Sequence, residues 1–200
     1  MKKKTKCEID KVTVINLLPR FKFPHIVAKN ILLNVLEHFN CKPDNINIIF
    51  MGDGDIKCIN SKFLSHNYPT DVISFKLNDR PMDGLIPSLL DGANADIPNG
   101  ERGKVSSKTY RTCEGYPDKI GDTIRQNSGH EVAIKNIALE AELYIGVEEV
   151  RRNSLFYKTK FYQELKRVII HGALHLVGFK DSTPTQRDEM RSWEDHFLDN

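Results

Sequence analysis

With 200 residues, 40% of them hydrophobic and 28% charged, the chain has the size and composition of one soluble globular domain with a sizeable core. A net charge of +2 is too small to argue for nucleic acid by itself, so a basic surface for RNA would have to be local. Cys7, Cys41, Cys58 and Cys113 lie far apart without a CxxC pair, which excludes a zinc ribbon or dithiol redox motif and leaves reduced cytosolic thiols.

The basic start, Met1 to Lys6, runs into Cys7-Glu8-Ile9-Asp10-Lys11 where a signal peptide needs its apolar run. No stretch reaches the length of a membrane span, so the chain reads as soluble and cytoplasmic, with the basic tip solvated. Lys11 to Leu18 reads as a first strand ended by Pro19, and Pro24 opens a helix to about Phe39 with Val27, Ile31, Val35 and Leu36 on one face. Cys41 to Asn45 is a turn by composition. Ile46, Ile48 and Phe50 then alternate with Asn47 and Ile49 as a half-buried strand. Asp53 to Leu64 forms a short helix carrying Ile56, Ile59, Asn60 and Phe63. A turn at Asn67 to Asp71 leads into the strand Val72-Ile73-Ser74-Phe75.

From about Asn78 to Lys135 glycines and prolines break every period, and a loop this long inside a compact domain is uncommon. Most of it is expected to be poorly ordered, with Leu85 to Leu90 packing locally, and a lid over the site is the alternative. Periodicity returns with a strand at Glu142 to Val147, a short helical turn at Glu148 to Ser154, and a long helix from Phe161 to Val177. That helix carries Phe161, Leu165, Val168, Ile169 and Gly172 as one apolar stripe, and Gly172 predicts close approach of a strand. Pro184 starts a last helix in which Met190, Trp193 and Phe197 form core at helical spacing and His196 is a surface residue.

Chemistry concentrates at residues 168–181. His171 and His175 stand one helical turn apart and point the same way. Gly178 sits where the helix should stop, and a reversal there brings the Asp181 carboxylate back against the two imidazoles. Two histidines and a carboxylate with a fourth position open to water are the layout of a catalytic metal site.

Three segments together resemble one family: HGALHLVGFKD at 171–181, INSKFLSHNYPTDVISF at 59–75 and AELYIGVEEVRRN at 141–153. The chain is similar to the YbeY family of rRNA maturation factors, single-strand-specific metallo-endoribonucleases, over most of its length except about 78–138. The resemblance implies an α+β fold, a mixed sheet of about four strands packed by helices, forming a single domain over 1–200 with a long insertion at about 78–138. It implies one zinc ion held by three histidines. His171 and His175 match the first two, and Asp181 stands where the family has its third. A carboxylate lowers the net charge of the site by one and acidifies bound water less, and its harder oxygen leaves room for Mn2+ or Fe2+. Many family members also carry an arginine before the PT(N/D)V turn, where this chain has Leu64.

The implied function is metal-dependent cleavage of single-stranded rRNA, of the kind that matures a 16S-type 3′ end, and a part in ribosome quality control. The small ribosomal subunit or its proteins are the implied partners. Asp71 is the candidate proton acceptor, and Arg151, Arg152, Lys166 and Arg167 are candidate RNA contacts, with Lys158 and Lys160 as further basic residues. The first rival is a ribosome-assembly or RNA-binding protein that keeps metal for folding. A metzincin-like metalloprotease shares the spacing His171-xxx-His175-xx-Gly178-xx-Asp181 but needs a Glu general base where this chain has Gly172. A non-haem iron oxygenase would use two histidines and a carboxylate, but from a β-barrel.

Overall fold

The structure, a computed structural model, describes residues 6–77 and 138–199. In chain order these form α1 (Lys6–Asp10), β1 (Val12–Asn16), α2 (His25–His38), β2 (Lys42–Met51), α3 (Asp53–Leu64) and β3 (Val72–Lys76). There follow β4 (Ala138–Gly146), α4 (Val147–Phe156), α5 (Phe161–Val177) and α6 (Pro184–Leu198). The sheet has four strands in the order β1-β2-β4-β3. The first three are mutually parallel, and β3 runs antiparallel to β4 at the edge. This is the expected α+β architecture, a mixed sheet packed by helices.

The two central strands set the core. In β2 and β4, Ile46, Ile48 and Phe50 sit beside Ala141, Leu143 and Ile145, all buried on the face that takes α2 and α5. The alternate residues Ile49, Met51 and Tyr144, with Ile73 and Phe75 of β3, are buried too, with Ile56 and Ile59 of α3. β2 is therefore not half-buried as the alternation predicts, because parallel strands between helices are covered on both faces. Glu142 is tolerated inside because the Tyr144 hydroxyl donates to its Oε2 at 2.6 Å.

Several boundaries depart from the sequence reading. The expected turn at Cys41 to Asn45 is instead the start of β2, paired from Lys42↔Ala138 onward with an irregularity between Pro43 and Asn45 that accommodates the proline. β4 begins four residues before Glu142, and Val147 already belongs to α4, a ten-residue helix and not a short turn. β1 is shorter at both ends, and Lys6–Asp10 forms a helical turn, with Lys29 Nζ donating to the Ile9 carbonyl. On α2 the buried stripe is Ala28, Leu32, Leu33, Val35 and Leu36, so Val27 and Ile31 flank it. The stretch from 78 to 137, with the local packing at Leu85 to Leu90 and the alternatives of a poorly ordered segment or a lid, lies outside the described residues.

α5 is the helix on which the site is built. Leu165, Val168, Ile169, Ala173 and Leu174 are fully buried, and α6 packs along it through Met190. Gly172 is where α5 meets the sheet: a Cβ there would overlap Leu143 Cδ1 of β4 and come within 2.9 Å of Val72 Cγ2 of β3. Leu143 has no exposed surface and no room to yield. Helix propensity alone would make Gly172→Ala stabilising by about 1 kcal/mol. Overpacking against Leu143 should reverse the sign, to a loss of about 1–3 kcal/mol seen as a lower urea midpoint. A raised midpoint would show that the sheet gives way.

Candidate metal centre

His171 and His175 project from the last turns of α5, 21% and 27% exposed, with their Nε2 atoms 3.0 Å apart. Asp181 Oδ2 lies 3.9 Å from the first and 4.0 Å from the second, and the three ligand atoms fall within 4.8 Å of one another. Among the described residues this is the one group of three or more His, Cys or carboxylate side chains that can hold a metal ion. Metal–ligand bonds of about 2.0–2.1 Å in a tetrahedron place donor atoms about 3.3 Å apart. The histidine pair is already close to that spacing, and Asp181, half exposed, needs only a small inward rotation.

The remaining ring nitrogens decide what the Nε2 atoms present. His171 Nδ1 lies 2.6 Å from Glu194 Oε1, and His175 Nδ1 lies 3.0 Å from the Phe179 carbonyl oxygen. Each partner is an acceptor, so each Nδ1 carries the proton and donates. In the neutral imidazoles the lone pairs are then on Nε2. Two lone pairs facing each other at 3.0 Å repel until a proton or a metal ion lies between them. The donor set therefore fits a divalent cation. Burial, and then the neighbouring His171, lower the pKa of His175, which keeps it in the form that binds metal.

Local chain geometry delivers Phe179 and Asp181 to this point. Gly178 has φ 110°, in the left-handed region, and its N–H donates to the His175 carbonyl while Phe179 N–H donates to that of Leu174. The reversed chain presents the Phe179 carbonyl to His175. The Phe179 ring is held against Phe39 and Trp193, with centroids 5.1 and 6.1 Å away. Arg187 Nη1 then donates to the carbonyls of Asp181 and Ser182 at 3.1 and 3.2 Å. Thr183 and Gln186 form a reciprocal capping box that starts α6 immediately after the loop.

Glu194 is the residue that sequence reasoning missed. It is 7% exposed at its side chain and accepts from His171 through one oxygen and from Arg167 Nη1 through the other, at 3.0 Å. Burial alone would raise its pKa, but the hydrogen bonds and charges of His171 and Arg167 outweigh this and hold it below the ordinary carboxylate value. A signal was present: Glu194 falls four residues after Met190 and three before Phe197, a carboxylate inside a buried stripe.

The other residues singled out in the sequence lie as follows. Asp71 is not among the converging ligand atoms; its carboxylate accepts from Asn153 Nδ2 at 3.2 Å and Thr70 Oγ1 at 3.3 Å, and its carbonyl from Gly146 N–H. Arg167 is paired with Glu164 and Glu194, and those two carboxylates outweigh burial in raising its pKa. Arg152 holds Asp53 through both terminal nitrogens at 2.7 and 2.8 Å and also pairs with Glu149. Arg151 lies over the Phe161 ring at 4.8 Å. Lys166 is exposed, as are Lys158 and Lys160. Leu64 ends α3, 44% exposed. His196 is exposed, with its ring against Trp193 and His38.

Removing an orienting partner of a metal-bound histidine typically weakens metal about 10–100-fold. Glu194→Gln should do so here, measured by competition with a chromophoric chelator. An unchanged affinity would mean that the hydrogen bond to His171 does not prepare the ligand.

The family model described as "Endoribonuclease YbeY" matches residues 20–200. Curated relatives of that name include those of Chloroherpeton thalassium, 28% identical over 185 residues that make up 92% of each chain, and Amoebophilus asiaticus, 28% identical over 180 residues, 90% of this chain and 85% of the relative. The Chlorobium phaeovibrioides relative is 27% identical over 179 residues, 90% and 83% of the two chains. No helix among the described residues is long and apolar enough to cross a membrane. Because the match runs through both histidines, the turn after them and the helix that carries Glu194, the chain belongs to the YbeY family.

Proposed function

We propose that this protein is a metal-dependent endoribonuclease that cuts single-stranded RNA, and that its substrate is rRNA at a 16S-type 3′ end, in maturation and in ribosome quality control. The observation that carries the reading is the convergence of two Nε2 lone pairs and the Asp181 carboxylate at one accessible point. Family membership supplies the reaction class, since its curated members are named endoribonucleases.

In this reading His171, His175 and Asp181 hold one Zn2+, with Mn2+ or Fe2+ also accommodated by the oxygen ligand. A bound divalent ion supplies Lewis-acid chemistry, acidifying water and polarising a phosphoryl oxygen. Glu194 keeps the His171 ring oriented and its lone pair directed at the ion. The Phe179 carbonyl does the same for His175. Asp71 serves as the proton acceptor for the attacking hydroxyl. Lys166, with Arg151, contributes positive potential along the path of an unpaired strand, while Arg152 is held by Asp53 and Glu149 and Arg167 acts through Glu194.

Peptide hydrolysis finds no support in the site. The position after the first histidine, where a metzincin places its general base, is a glycine packed on Leu143 and Val72, and any longer side chain there would point into the sheet. The surviving rival is a ribosome-assembly protein with a structural metal.

Cleavage of an unstructured RNA by the wild type, with and without chelator, beside a folded His175→Ala variant separates the two. Activity is expected only in the metal-loaded wild type. Equal activity in both proteins, or none in either, would leave the assembly reading standing. Asp181→His, which restores three imidazoles, should favour zinc over manganese by roughly tenfold or more relative to wild type, read by competitive metal binding. An unchanged preference would place Asp181 outside the ligand set.

A further inference from the structure

Beside the histidine–carboxylate cluster lies an open cavity of ≈ 160 Å³ lined by Arg167, His171, Asp181, Arg187, Met190, Arg191 and Glu194. Three guanidinium groups border it, and they are not equivalent. Arg167 is neutralised by Glu164 and Glu194. Arg187 donates through Nη1 to two backbone carbonyls, which satisfies hydrogen-bonding capacity without cancelling charge. The Arg191 guanidinium makes no hydrogen bond or ion pair among the described residues.

Arg187, Arg191 and Glu194 stand at i, i+4 and i+7, so one stripe of α6 carries both free positive charges and the carboxylate that orients His171. Two arginines one turn apart repel, at a cost of a few tenths of a kcal/mol. Asp188 and Asp195 stand three before and four after Arg191 on the same helix, but no ion pair among the described residues engages its guanidinium. A cavity of this volume holds about five waters at their liquid volume of about 30 Å³ each, the scale of a phosphodiester group. Guanidinium forks match phosphate oxygens in shape and charge.

We propose that Arg187 and Arg191 form the seat for an RNA backbone phosphate directly beside His171 and Asp181. This rests on the endoribonuclease reading. Arg187 has a second task, since its hydrogen bonds also hold the loop bearing Asp181. Arg191 has no such task. Arg191 is therefore the discriminating position.

The test is binding of a fluorescent single-stranded RNA to chelator-treated protein across a salt series, followed by cleavage kinetics with metal restored. Each phosphate contact to a single strand contributes about 0.7 to the slope of log K against log salt. Arg191→Ala should lower the slope by about that amount and weaken binding roughly tenfold, as loss of a charge-assisted hydrogen bond does. Arg191→Lys should recover the slope, and in cleavage Arg191→Ala should raise KM more than it lowers kcat. Arg20→Ala, an exposed arginine on the turn after β1, is the control for loss of one charge. Wild-type binding and slope in Arg191→Ala, with an unchanged KM, would overturn the seat while leaving the nuclease reading intact. An equal loss in Arg20→Ala would also overturn it, as diffuse electrostatics. If the wild type binds RNA but never cuts it, the nuclease reading fails, and the salt series still decides whether the arginine pair holds phosphate.

Discussion

The hydrogen bond from His171 Nδ1 to Glu194 ties together the two helices on which the site depends. It sets the tautomer of His171, it shares with Arg167 the stabilisation of a carboxylate buried on α6, and the second oxygen of Glu194 links on to Arg167 and Glu164. A buried carboxylate stripped of these partners would carry an unpaired charge at a cost of several kcal/mol. The packing of α6 on α5 and the direction of the His171 lone pair are therefore one arrangement. The aromatic group of Phe39, Phe179 and Trp193 plays the matching part for His175, because it fixes the carbonyl that orients that ring.

Gly172 shows how the fold limits the chemistry. It sits between the sheet below and the histidines on either side of its turn, and its missing side chain lets α5 lie close enough to Leu143 and Val72 for a dry contact. The same closeness removes the position from which a protease of similar ligand spacing would draw its base. In the proposed reading, the helix–sheet distance thus bears on which hydrolysis the site supports as much as its candidate ligands do.

Much of this was legible in the residues. The HxxxH spacing, the stop at Gly178 and the return of Asp181 are local consequences of helix geometry, and the structure brings those three side chains together. The boundaries that were misread depend on distant partners. Lys42 to Asn45 looks like a turn because Pro43, Asp44 and Asn45 are turn formers, and it is a strand because Ala138 to Glu140, more than ninety positions later, pairs with it. Glu140 hides the start of β4 by its polarity, while Glu142 is held inside with a hydrogen bond from the Tyr144 hydroxyl. Glu194 was overlooked for a similar reason. The α6 stripe marks it as a carboxylate among apolar neighbours, but its partner lies 23 positions away, so its role is not written locally.

β3 and β4 are neighbours in space although about sixty residues separate them: Lys76 pairs with Ala141, and Leu77 N–H donates to the Glu140 carbonyl at 2.8 Å. The two ends of the intervening segment are thus fastened together by the sheet, whatever lies between them. The entropy of closing a loop rises only logarithmically, by about 0.6 kcal/mol for each doubling of its length. Descendants of this chain can therefore lengthen or shorten that segment with little thermodynamic penalty, so its length is free to drift or to follow selection for something other than folding.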